Sequence, residues 1–146
     1  MIPRVVLDTN VVVSALLKPQ SLEDQVLRLA LAGKLALCTS PDVLAEYARV
    51  LPRPKFKLKP REVGTILEEL QRASIVFHPV RTLRISRHES DNRFYECAAA
   101  AQAAFLVTGN TRHFPKAYRT TRVVTARQLL ELLASDTAFP SPALLP

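Results

Sequence analysis

The sequence predicts an α/β fold, a three-layer sandwich around a central parallel sheet of five strands, and two observations carry that prediction. Five short apolar runs alternate along the chain with segments whose apolar residues recur at helical spacing. The apolar runs are continuous rather than alternating with polar residues, as in strands covered by helices on both faces.

Taken in order, residues 4–7 (RVVL) form the first strand, which ends at Asp8-Thr9-Asn10; a helix-like pattern starts near Val11. Ser21 caps a helix over 22–32, with Asp24 at its third position in a capping-box-like arrangement. Residues 35–39 (LALCT) are the second strand, and Ser40-Pro41, a cap followed by proline at the first helical position, opens a helix over 41–51. Val63, Ile66, Leu67 and Leu70 share one face of a helix that ends near Ser74, before a third strand at 75–77 (IVF). A helix over 91–104 carries Phe94, Tyr95, Ala98 and Ala101; strands at 105–108 and 122–124 follow, and Thr125 caps a final helix containing Leu129 and Leu133. Two segments escape the alternation. Residues 52–60, with Pro52, Pro54 and Pro60, read as an extended connector, and residues 136–146 read as a proline-rich tail behind a single domain over 1–135.

With 146 residues, 48% hydrophobic and 23% charged, the composition is that of a globular domain rather than a disordered chain. The longest apolar stretch, 97–107, is interrupted by Gln102 and falls short of the roughly 20 residues a membrane span needs. Met1-Ile2-Pro3-Arg4 enters the first strand without the apolar core of a signal peptide, so cytoplasmic residence is the default expectation. Cys38 and Cys97 sit where small buried hydrophobes belong and read as reduced core thiols. The formal charge of +7 suits a polyanionic partner.

In a parallel sheet Asp8 stands at a strand's C-terminal end, where α/β proteins build their sites, although the same position suits a helix cap. Glu46 lies on the shoulder of the stripe Val43, Tyr47 and Val50, either snorkelling to water or compensated by a positive group. Asp91 occupies a first helical turn, where an acid also complements the helix dipole. Three carboxylates gathered at one crevice require a cation between them. Oxygen donors without Cys or His spacing select Mg2+ or Mn2+, and such a centre in a basic protein suits phosphodiester hydrolysis.

The stretches VVLDTN, SPDVLAEY, ESDNRFYECA and FLVTGNTRHFP together resemble the PIN-domain ribonucleases, and look closest to the VapC-like branch regarded as toxins of type II toxin-antitoxin systems. The resemblance spans about residues 3–134. It implies a parallel sheet in the order 3-2-1-4-5 and a metal-dependent endoribonuclease in which Asp8, Glu46 and Asp91 match the family's first three acids and hold the metal. Thr9 and Asn10 would orient Asp8, and Thr108 would support the fourth position. That position departs from the pattern: Asn110 stands where many members carry Asp, and an amide brings no negative charge, so weaker cation binding is expected. Self-association and an antitoxin partner that blocks the crevice are further implications.

Arg53, Lys55, Lys57, Lys59 and Arg61 occupy alternate positions of the connector with Phe56 among them. In an extended segment they would line up along RNA, with the ring as a stacking surface; a solvated connector is the plainer reading. Arg112, Lys116, Arg119 and Arg122 form a second basic group. Glu96 lies about 140° around the helix from Asp91 and is expected to face solvent or support the site from behind, with Glu89 equally open; His113, close behind Asn110, could contact substrate, although a lone loop histidine is more often structural or solvated. The rivals are a PIN-like RNA-binding or assembly module without turnover, and an aspartate-nucleophile phosphatase, whose chemistry wants an acid where this chain has Asn10.

Overall fold

A computed structural model describes residues 2–80, 82–86, 88–113 and 116–135. The predicted tail at 136–146 lies outside the described residues.

Among the described residues, twelve strands and α-helices follow one another: β1 (Arg4–Leu7), α1 (Thr9–Leu17), α2 (Leu22–Leu31), β2 (Ala36–Thr39), α3 (Pro41–Val50), α4 (Pro60–Ala73), β3 (Ile75–Val76), α5 (Glu89–Ala101), β4 (Phe105–Val107), β5 (Ala117–Tyr118), β6 (Thr121–Val124) and α6 (Ala126–Ala134). The caps behave as their residue types dictate. The Ser21, Ser40 and Thr125 hydroxyls accept the backbone N–H groups of Asp24, Val43 and Gln128, each satisfying a donor that the first helical turn leaves open.

The sheet order is β3-β2-β1-β4-β6-β5. Strand β1 is central, pairing in parallel with β2 and β4, and Val5, Val6 and Leu7 are completely buried. Helix α5 packs on β1, β2 and β4, with α3 beside it, while α2 contacts β2 and α6 contacts β4 and β6. Cys38 and Cys97 are buried free thiols, and burial pushes them up to about 11 and about 12.

The expected all-parallel, five-stranded sheet is corrected in one respect: it is a mixed sheet of six strands, because β5 pairs antiparallel with β6 at the edge. Two residues offer no periodicity to read. The tight turn joining them also lacks the usual Gly or Asn signature, since Arg119 itself takes the positive φ of 54°. Strand β3 differs as well. It covers Ile75 and Val76 alone, both exposed, because among the described residues it is an edge strand paired only with β2.

The connector at 52–60 is not extended. Pro54–Phe56 form a 3-10 turn, Lys57 adopts φ 55°, and α4 starts at Pro60. The alternate spacing of its cations therefore does not align them along one side. Helix α5 begins two residues earlier than expected and ends at Ala101, where Gln102 takes a left-handed conformation and stops it.

Candidate active site

The parallel core of the sheet delivers Asp8 and Thr108 side by side, because β1 and β4 are neighbours in register with Leu7 opposite Val107. The Asp8 N–H closes the ladder on the Val107 carbonyl at 2.9 Å, which directs the following residue pairs into one crevice. The Thr108 hydroxyl donates to Asp8 Oδ2 at 2.8 Å and accepts the Asn110 N–H at 3.1 Å. Asp8 stands at the N-cap of α1, yet its side chain makes no capping hydrogen bond, so capping does not account for it.

A cavity of about 270 Å3 lies at these strand ends and takes in Asp8, Glu46, Asp91 and Asn110. Asp8 is only 6% exposed, and its carboxyl is raised from 3.8 to about 6. Loss of hydration is the largest cause; the negative charges of Asp91 and Glu46 push the same way, while the Thr108 hydroxyl and the Thr9 backbone pull it down. Helix α3 carries Glu46 to the crevice with 9% of its surface exposed and anchors itself through Tyr47, whose hydroxyl donates to the Leu7 carbonyl at 2.5 Å. The positive group that compensates Glu46 is Arg49, one helical turn later. Asp91 accepts from the Ser86 hydroxyl at 3.3 Å. Its neighbour Asn92 ties that loop down by accepting the Ile85 and Ser86 N–H groups at 2.9 and 2.7 Å.

The polar companions divide. Asn10 Oδ1 accepts the Gly109 N–H at 3.2 Å and bridges the two strand-end loops. Thr9 Oγ1 is buried without a hydrogen-bond partner among the described residues. The carboxylates, amides and hydroxyls lining the cavity are hard donors, with no His or Cys among them, the set that suits Mg2+ or Mn2+. Among the described residues, however, no three His, Cys, Asp or Glu side chains form a compact metal-binding group.

Of the predicted basic residues, Arg53 lines the cavity together with Phe56. Lys55 stands over the Phe56 ring, 5.2 Å from its centroid, while Lys57 and Lys59 are exposed. Lys116 and Arg122 instead line a different depression, of about 690 Å3, against α6, and Arg112 is exposed. His113 falls in a 3-10 turn over Thr111–His113. Glu96 is not solvent-facing: it is 5% exposed, accepts the Leu83 N–H at 2.8 Å and pairs with Arg93 at 3.0 Å, away from the cavity. Glu89 is exposed and paired with Arg93. Sequence reading passed over Ser14 and Ser90 in the cavity wall; the spacing of Ser14 four residues after Asn10, on one helical face, was the available signal.

No described helix is long and apolar enough to cross a membrane. A protein of Methanocaldococcus jannaschii, named "Uncharacterized protein MJ1680", is 30% identical over 110 residues, covering 73% of this chain and 70% of its own length. The family model for the PIN domain matches residues 4–112, from β1 to the turn beyond Asn110. The chain therefore belongs to the PIN-domain family, whose members are in general nucleases, typically dependent on divalent metal ions and acting on RNA.

Proposed function

We propose that this chain is a cytoplasmic Mg2+- or Mn2+-dependent endoribonuclease that hydrolyses phosphodiester bonds in single-stranded or looped RNA. The observation that carries the reading is the buried, charge-crowded Asp8, held near pH 6 in a cavity that also takes in Glu46 and Asp91. A carboxylate kept at this cost invites a cation.

Asp8, Glu46 and Asp91 would hold the ion. When bound, it supplies neutralisation of the phosphate charge and acidification of a water molecule. The chain's own residues do the remainder. Thr108 fixes the orientation of Asp8 Oδ2, and Ser86 does the same for Asp91. Asn10 locks the loop that carries Asn110, whose amide can hold a water or a phosphate oxygen without adding repulsion. Arg53, at the cavity wall, draws in the substrate phosphate. Hydrolysis then joins the water oxygen to phosphorus and breaks the bond to the leaving sugar oxygen.

The same reading takes in a toxin role, self-association, and an antitoxin that inserts a segment into the crevice and offers an Arg to the carboxylates. Lys55, Lys57, Lys59, Arg112 and Lys116 would serve as the outlying RNA contacts. Incubation with a panel of RNAs tests the central claim: cleavage in Mn2+ that disappears in EDTA and in Asp8→Asn is the expected result. Absence of cleavage by metal-loaded protein would favour the second reading, an RNA-binding module without turnover. Asn110 and the lack of a compact acidic group among the described residues are the observations on that side.

A further inference from the structure

We propose that Phe56 is a stacking platform for one unpaired base of the substrate, seated beside the scissile phosphate, with Arg53 holding the adjoining phosphate. This inference rests on the endoribonuclease reading above and adds to it a structural requirement on the substrate. Three observations support it.

Among the described residues lining the acidic cavity, Arg53 is the single cation, and Phe56 is the aromatic ring left half-buried. Phe94, the other ring in the wall, is enclosed by the core and packs against Tyr47 with 6.3 Å between centroids, so it has no free face to offer.

The turn carrying Phe56 is closed by backbone hydrogen bonds and is fastened to the helix that carries Glu46. The Arg53 N–H donates to the Val50 carbonyl, the Phe56 N–H to the Arg53 carbonyl and the Lys57 N–H to the Pro54 carbonyl, each at 3.1 Å. Pro54 removes one backbone freedom, and Lys57 holds a left-handed φ of 55° that a non-glycine residue adopts only under constraint. A backbone held in place relative to the acids lowers the ordering cost of presenting the ring at binding.

Lys55 stands over one face of the ring, 5.2 Å from its centroid and within cation–π range, which places a second positive charge beside the ring where an incoming nucleotide would bind. Stacking on a ring is sequence-tolerant, because every base has a π-face, but it demands a base that is not already stacked and paired. A duplex cannot supply one. The predicted selectivity is thus for unpaired nucleotides rather than for a base identity.

The test pairs enzyme and substrate changes. Wild type, Phe56→Ala, Phe56→Leu and Phe56→Trp are compared on a single-stranded oligoribonucleotide in Mn2+, and on copies carrying one abasic site at successive positions around the cleaved bond. Phe56→Leu keeps the packing and removes the π-face, so it guards against a folding artefact. The expected result is a rise in KM of roughly tenfold in Ala and Leu with kcat little changed, and retention in Trp. One abasic position should cost wild type a similar factor and cost Phe56→Ala almost nothing. Wild-type cleavage accompanied by unchanged Ala and Leu variants, or by equal abasic penalties in both proteins, overturns the platform and leaves the nuclease reading intact. If wild type cleaves nothing, fluorescence anisotropy of the same oligonucleotide decides: weaker binding by Phe56→Ala and Phe56→Leu upholds the platform in a non-catalytic module, and equal or absent binding overturns it.

Discussion

Replacing Asp8 by Asn should stabilise the metal-free protein while abolishing cleavage. Asn keeps an oxygen that accepts the Thr108 hydroxyl and removes the charge whose burial raises the carboxyl from 3.8 to about 6. A group whose folded-state value is raised favours folding fully below pH 3.8, and that contribution is lost as pH climbs to 6. At about 1.4 kcal/mol per pH unit, the loss reaches about 3 kcal/mol above pH 6, an upper bound for the gain from Asn. For a chain of this size that corresponds to roughly 6–12 °C in melting temperature. Urea titration followed by circular dichroism, in EDTA at pH 7.5 and again at pH 5, reads both the gain and its shrinkage to about half. Saturating Mn2+ should then close the gap by stabilising wild type alone, by about 2.7 kcal/mol at a hundredfold excess over Kd. An Asp8→Asn protein no more stable than wild type in EDTA at pH 7.5 would refute the reasoning, since the carboxylate would then carry no burial penalty for a cation to relieve.

Restoring the fourth acid by Asn110→Asp should tighten Mn2+ binding and lower metal-free stability by about 1 kcal/mol through added repulsion; calorimetry and urea titration check the two halves. Glu96→Ala would orphan the Leu83 N–H and leave Arg93 with Glu89 alone, costing about 2–3 kcal/mol, whereas the cavity keeps its lining and Mn2+ affinity should hold. Neutralising Lys57 and Lys59 together should weaken RNA binding and flatten the salt dependence of log affinity by roughly 0.7 for each phosphate that the protein no longer neutralises. Anisotropy across a salt series measures that slope.

Much of the fold was readable because each local signal agreed with the next. The buried strands β1 and β4 announce themselves as unbroken apolar runs, and Ser21, Ser40 and Thr125 mark helix starts through short-range chemistry that acts within three residues. The two edges differ: β3 was readable as the apolar run IVF although Ile75 and Val76 are exposed, whereas the two residues of β5 carry no pattern of their own and are defined by their pairing with β6.

By itself, then, the sequence determined the alternation of elements, the strand-end position of Asp8 and the chemical types of its companions, since these depend on residues near one another in the chain. Tertiary structure decided which groups meet. Pairing of β1 with β4 joins Thr108 to Asp8 across a hundred residues. Helix α3 brings Glu46 into the same cavity already compensated by Arg49, and a 3-10 turn turns an apparent row of cations into one Arg and one ring at the site. Burial follows the same rule: the carboxyl of Asp8 leaves its ordinary range because surrounding elements exclude water from it, and no local pattern records that exclusion.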